Sequence, residues 1–206
     1  MLKKLALGLL ALLVVVAGVI ASRPADFAVT RTATMNAPAE VVYAQVIDFH
    51  EWANWSPWDQ LDPSMKREYS GAPSGVGAKY GWNGNPDNVG TGSMTITDAT
   101  PNQSVGIDLE FKEPFPAKNR TLFALAADGA GTKVTWTMTG RNDFMGKAFS
   151  LVMDMDKLVG SDFEKGLSAM KTRVEARAKA LADERAAAEK AAAETVPAPA
   201  GDAGAP

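Results

Sequence analysis

Residues 36–58 read NAPAEVVYAQVIDFHEWANWSPW, and this stretch decides the fold. It opens with Asn and Pro, which favour the start of a helix, and the apolar residues that follow predict a short amphipathic helix. It ends with Trp52, Trp55 and Trp58, three of the five tryptophans in the chain. Because an indole is large and its N–H needs a partner, such a cluster predicts either a dense plug in a core or one wall of an apolar pocket.

Period-two patterns lie on both sides of this stretch. Before it, residues 27–35 alternate apolar positions with Thr or Arg, which predicts a first strand. After it, breaks rich in Gly, Pro and Asn separate similar runs, among them 94–97, 105–111 and 134–139. Short turns between such runs predict antiparallel hairpins with one buried face and one solvated face.

The period changes near the C-terminus. From Phe149 to Val174, apolar residues recur at steps of three and four, which predicts a long amphipathic helix that packs on the sheet. After Ala176 this stripe fades. We therefore predict a domain over residues 23–182, followed over 183–206 by an Ala/Glu/Lys helical extension and a disordered Pro/Ala/Gly tail.

The N-terminus is the most apolar part of the chain. Lys3 and Lys4 precede an uncharged apolar run over residues 5–21, so residues 1–22 are either an uncleaved signal anchor or a cleaved signal peptide. By the positive-inside bias, both alternatives place the domain on the extracytoplasmic, periplasmic side. An anchor makes the protein a single-pass protein of the cell membrane, whereas cleavage makes it periplasmic or secreted.

Composition excludes several classes of function. The net charge of −3 argues against nucleic-acid binding, which needs a basic face. The absence of cysteine excludes disulfides and thiolate chemistry, and a single histidine, His50, excludes a metal site built from histidines. The stretch 75–79 lacks the Gly-Lys-Ser/Thr ending of a phosphate loop. We predict no cofactor and no metal.

Five segments together resemble a known family. They are 36–43 (NAPAEVVY), 48–58, 75–78 (GVGA), 92–96 (GSMTI) and 163–167 (FEKGL), and their order is similar to that in the polyketide cyclase/dehydrase branch of the SRPBCC (START-like) superfamily. The resemblance covers about residues 27–175. It implies an α+β helix-grip fold, in which a curved antiparallel sheet wraps around a long C-terminal helix. It also implies a deep cavity for lipids, polyketides or other apolar molecules.

The inward positions of the strands and helix predict most of the lining of that cavity, and the resemblance places Trp55 and Trp58 in a lid or wall over its mouth. An ordinary packed core is the alternative for both sets. The predicted lining residues are Trp55, Trp58, Tyr80, Trp82, Met94, Leu109, Phe111, Phe123, Trp136, Met138, Phe149 and Met153.

The favoured function is a membrane-tethered extracytoplasmic module that binds a hydrophobic or amphipathic small molecule, such as a lipid, quinone or polyketide-like compound. One alternative is a cyclase-like or hydrolase-like enzyme, which would need ionisable groups inside the cavity. Only His50, Tyr80, Arg120 and Asp156 are candidates, and no catalytic residue is assigned. A ligand-free envelope scaffold is the third interpretation.

Overall fold

The computed structural model describes residues 1–194 of the chain, and side chains up to residue 192. Six helices and seven strands follow one another along it. In chain order they are α1 (Leu2–Ser22), β1 (Asp26–Met35), α2 (Ala39–Ile47), α3 (Phe49–Trp52), α4 (Pro57–Leu61), β2 (Lys66–Gly71), β3 (Ala78–Asn83), β4 (Thr91–Thr100), β5 (Ser104–Glu113), β6 (Ala117–Asp128), β7 (Gly131–Arg141), α5 (Phe144–Phe149) and α6 (Met155–Glu194).

The seven strands form one curved sheet in the order β1-β7-β6-β5-β4-β3-β2, and every neighbouring pair is antiparallel. Strands β2 to β7 pair with their neighbours in sequence, while β1 closes against β7. The prediction of an α+β helix-grip fold is confirmed, including the first strand and the hairpins that follow the tryptophan cluster.

Helix α6 runs alongside β1 from near the middle of that strand to its C-terminal end. At its start, Arg31 of β1 donates hydrogen bonds to Asp156 and Glu164, and the pKa of the Asp156 carboxyl is lowered by the bond from Arg31. Further on, Lys171 Nζ donates to the Thr34 carbonyl at 2.7 Å. The face of α6 that contacts the sheet is almost completely buried and consists of Phe163, Leu167, Met170 and Val174.

The segment before α6 differs from the sequence prediction. Residues 149–153 fit the helical period, but they belong to a short separate helix, α5, and to the link 150–154. Each of the two helices has its own cap: Asp143 accepts a hydrogen bond from Gly146 N–H at the start of α5, and Asp154 accepts one from Lys157 N–H in the first turn of α6. Phe149 and Met153 therefore do not lie on the long helix.

The two ends of the chain are simpler. Helix α1 covers the predicted apolar run and is the one helix among residues 1–194 that is long and apolar enough to cross a membrane, with a mean hydropathy of 2.8. Helix α6 continues past residue 182 to Glu194. The tail predicted to be disordered lies, from residue 195 onward, outside the described residues.

Helix α2 begins at Ala39 behind Pro38, three residues after Asn36, the predicted cap.

Candidate apolar binding site

Residues paired across the sheet form rows on its inner face, and their burial differs from one end of the sheet to the other. The row Val105–Phe123–Trp136 is at most 2% exposed and lies at the level where α6 packs. The next row, which includes Ile107 and Met138, is at most 6% exposed. Beyond it, towards the start of β1, the inward residues Phe27, Leu109 and Phe111 are only partly buried.

An aromatic cluster fills the covered half of the inner face. The Trp136 ring stacks on Phe163 of α6 with centroids 3.9 Å apart, and on Phe123 at 4.7 Å. Trp55 meets Trp136 edge to face at 5.7 Å. This half of the grip is therefore a packed core.

The tryptophans of residues 36–58 complete that core. Trp52 Nε1 and Trp55 Nε1 donate to the carbonyls of Val46 and Gln45, each at 3.1 Å, which satisfies both indoles inside the protein. Trp58 is partly buried and meets Trp136 edge to face. The geometry matches the plug interpretation for Trp52 and Trp55, and it leaves Trp58 at the rim.

The other half of the inner face is less deeply buried. Its partly buried apolar residues Phe27, Trp82, Leu109 and Phe111 define the floor of what we call the apolar cleft, and the row from Leu109 to Phe27 also contains Asn119 and Gly140. Two aromatic rings of this floor lie over glycines: a Cβ on Gly140 would come within 2.7 Å of the Phe27 ring, and one on Gly92 would overlap the Trp82 ring. These glycines let the rings lie flat against the sheet.

One edge of the cleft is formed by Phe115, in the turn between β5 and β6, and Phe149 of α5. Their ring centroids are 5.5 Å apart. Phe149 is 40% exposed and Met153 is 42% exposed, so both sit at the edge and not in the interior.

The twelve predicted lining residues thus separate into three groups. Those partly buried are Trp58, Trp82, Leu109 and Phe111, and those exposed are Phe149 and Met153. Six are buried in the core, namely Trp55, Tyr80, Met94, Phe123, Trp136 and Met138. A ligand-lining role remains a prediction for each of them.

Sequence reasoning missed two residues at this cleft. Phe27 belongs to the first strand, and its place in the period-two pattern of β1 puts it on the same face as Val29. Phe115 lies in the turn Pro114–Pro116, outside any period-two run, so no periodic signal could have indicated it.

Of the ionisable residues considered for catalysis, His50 and Tyr80 both pack against Tyr69, whereas Asp156 and Arg120 lie elsewhere. His50 Nδ1 pairs with Asp48 Oδ1 at 2.7 Å, and its ring stacks on Tyr69. Asp156 is held by Arg31 at the start of α6. The Tyr80 hydroxyl is buried, and burial raises the pKa of Tyr80 well above its ordinary value.

Arg120 lies on the outer face of the sheet, where it bonds Asp98 and Asp108 and lowers the pKa of Asp98. A depression of about 1070 Å³ surrounds it, lined mainly by polar and charged side chains such as Lys79 and Thr139. This depression is lined mainly by polar side chains, and it also includes Phe27 and Leu109 of the cleft floor in its lining. Residues 1–192 contain no group of three His, Asp or Glu side chains placed to hold a metal ion.

Residues 26–175 match the model of the family described as "Polyketide cyclase / dehydrase and lipid transport". The chain belongs to this family. No curated protein matches the chain.

Solved structures share the fold of this polyketide cyclase/dehydrase family member at low sequence identity. Protein CV1439 from Chromobacterium violaceum is 16% identical, with 72% of this chain and 96% of that chain covered and a TM-score of 0.53. The Aha1 dimer protein from Colwellia psychrerythraea is 15% identical, with the same coverage and a TM-score of 0.52. An uncharacterized protein from Rhizobium leguminosarum is 14% identical, covering 74% and 97%, with a TM-score of 0.54. These similarities concern the fold alone.

Proposed function

We propose that the protein is a membrane-tethered, extracytoplasmic binding module for a hydrophobic or amphipathic small molecule of the lipid, quinone or polyketide type. The observation that carries the proposal is the loss of burial along the inner face. Leu109 and Phe111 remain partly exposed, whereas Phe123 and Ile107, on the same face, are 0% exposed. An apolar concavity that its own helix leaves uncovered is suited to an apolar ligand.

Two further features support the proposal. The family to which the chain belongs is described by lipid transport as well as by cyclase and dehydrase activities. Helix α1 would keep the domain close to a bilayer, in which apolar molecules dissolve, so a ligand could pass to the cleft through little water. Lys3 and Lys4 in the first turn of the helix favour the extracytoplasmic side for the domain.

The test compares two Leu→Trp variants of the full chain. Leu109 lies in the floor of the cleft, and Leu122 of the neighbouring strand β6 is 39% exposed on the outer face. Leu109→Trp should fill the cleft, whereas Leu122→Trp adds the same bulk outside it. Each protein is purified from its own membranes in mild detergent and analysed by native mass spectrometry with lipid extraction.

We expect one apolar molecule at near-stoichiometric amount in the wild type and in Leu122→Trp, and its loss in Leu109→Trp. Detergent and annular lipid on α1 are common to all three proteins. A difference in bound molecules between the two variants is therefore due to the cleft. Thermal unfolding of each variant checks that the fold is intact. The proposal fails if all three carry the same molecules, or if none binds added lipids or quinones.

A further inference from the structure

Exposed apolar side chains concentrate at one end of the domain. After α1, thirteen large apolar residues within the described part of the chain are exposed, and nine of them lie in the β5–β6 turn or in the segment from α5 to the first turn of α6. We call these nine the α5 surface: Phe115, Phe144, Met145, Phe149, Leu151, Val152, Met153, Met155 and Leu158. Water-facing domains rarely expose so many large apolar residues together, so this surface has an apolar partner.

The α5 surface adjoins the end of α1. Lys147 Nζ of α5 donates to the Ala21 carbonyl at 3.2 Å, and Asn142 N–H donates to the Ala25 carbonyl at 2.8 Å. Ile20, in the last turn of α1, is the one residue of that helix that is buried. Helix α5 therefore lies at the level where α1 ends.

That level is fixed relative to a bilayer. The uncharged apolar run of α1, residues 5–21, spans about 25 Å as a helix, slightly less than the ~30 Å thickness of the hydrocarbon core. A bilayer that encloses α1 would have its surface near Ile20, and hence beside α5. The bilayer, which accommodates the exposed apolar side chains of α1, is thus also the apolar environment nearest to the α5 surface.

We infer that the α5 surface inserts into the boundary between headgroups and acyl chains of the membrane that holds α1. Val152, at the link between α5 and α6, is 82% exposed, more than any other residue of the α5 surface. Burial of side chains such as Phe, Met and Leu in that boundary is favourable in proportion to their apolar area. A lipid bilayer is the partner, and α1 with the α5 surface forms one continuous apolar interface.

Insertion would orient the binding site. Phe149 belongs to the α5 surface and also contacts Phe115 at the edge of the cleft. The open end of the cleft would then face the membrane, and this consequence rests on the proposed function. A ligand would move between bilayer and cleft past these two rings.

The natural chain has no cysteine, so a single one can be placed and labelled with the fluorophore NBD. Val152→Cys labels the α5 surface, and Gln103→Cys labels an exposed turn at the opposite end of the sheet as the matched control. Both full-length proteins are reconstituted in phosphatidylcholine vesicles with or without lipids that carry nitroxide on the acyl chain. We expect the label at 152 to be quenched at least threefold more than the label at 103. Equal quenching at the two positions overturns the inference.

A second labelled protein separates this inference from the proposed function. Leu109→Trp combined with Val152→Cys should show the same quenching as Val152→Cys alone, because membrane insertion does not need an empty cleft. If no ligand is found but quenching at 152 persists, the membrane contact stands and the binding function fails. If a ligand is found but quenching is equal at 152 and 103, the binding function stands and the membrane contact fails.

Discussion

Replacing Phe163 by Ala tests the claim that α6 is held to the sheet by an aromatic stack. Phe163 is 1% exposed, its ring is nearly parallel to that of Trp136 at a centroid distance of 3.9 Å, and Trp58 meets it edge to face at 6.2 Å. Removing a buried Phe ring costs ~3–5 kcal/mol. Aromatic pairs of this kind contribute about 0.5–1.5 kcal/mol within such totals.

We therefore expect Phe163→Ala to lower the free energy of unfolding by about 4 kcal/mol, which is a large share of the ~5–15 kcal/mol typical of a domain. For a domain of this size that corresponds to a fall in Tm of roughly 10 °C. The matched control is Phe149→Ala, the same substitution at a ring that is 40% exposed and precedes α6. Its expected cost is about 1 kcal/mol, in keeping with partial burial.

The assay is urea and thermal unfolding of the full chain in detergent, followed by near-ultraviolet circular dichroism of the clustered tryptophans. Phe163→Leu, which keeps part of the apolar volume, should fall between wild type and Phe163→Ala. The reasoning is refuted if Phe163→Ala costs less than about 1 kcal/mol, or if Phe149→Ala costs as much as Phe163→Ala. Either result would mean that the Phe163–Trp136 stack does not hold α6 on the sheet.

Two further predictions concern the turn after β2 and a carboxylate near α4. Gly71 and Gly75 have nearly equal positive φ angles of +75° and +74°, but a Cβ on Gly71 would overlap the Gly77 carbonyl oxygen, whereas Gly75 faces open space. Gly75→Ala should cost about 1 kcal/mol from the backbone conformation alone, and Gly71→Ala clearly more; equal losses of Tm would contradict the steric argument. Asp62 accepts hydrogen bonds from Asn85 N–H and the Ser64 hydroxyl, which lower its pKa below the ordinary 3.8. The unfolded chain therefore takes up this proton first as pH falls, so the stability from Asp62 is complete above about pH 4 and lost as pH falls through the lower, folded-state pKa. The difference in Tm between wild type and Asp62→Asn should shrink over that acidic range, and a constant difference would show that the carboxylate's charge is not what these bonds stabilise.

Much of the fold could be predicted because the hydrophobic periodicity and the breaks rich in Gly and Pro indicate the strands, turns and helices. The alternation in 134–139 placed Trp136 and Met138 on the inner face, and both are buried there. The FEKGL segment at 163–167 indicated the helix, and Phe163 and Leu167 pack on the sheet as its spacing requires. In each case the information is local: a strand needs every second residue buried, and a helix every third or fourth.

The candidate site was less predictable, because the same periodic signal marks a ligand wall and a packed core. The sequence predicts both Trp55, in the tryptophan cluster, and Leu109, an inward strand position, as lining residues. Trp55 lies inside the aromatic plug, with its N–H on the Gln45 carbonyl, while Leu109 lies in the floor of the open cleft. The difference comes from which part of the sheet α6 covers, a tertiary property that no window of the sequence contains.

The part of the sheet that α6 covers depends in turn on where this helix begins. A stripe that was continuous from Phe149, as the spacing alone predicts, would add six residues to the start of the helix, or about 9 Å. Successive inner rows of a sheet are about 7 Å apart, so the longer helix would cover one more row, at the level of Leu109 and Phe27. Helix α6, capped by Asp154, instead begins at Met155, and residues 149–153 lie outside it. Both the uncovered row of the sheet and the apolar surface beside α1 thus follow from where α6 begins.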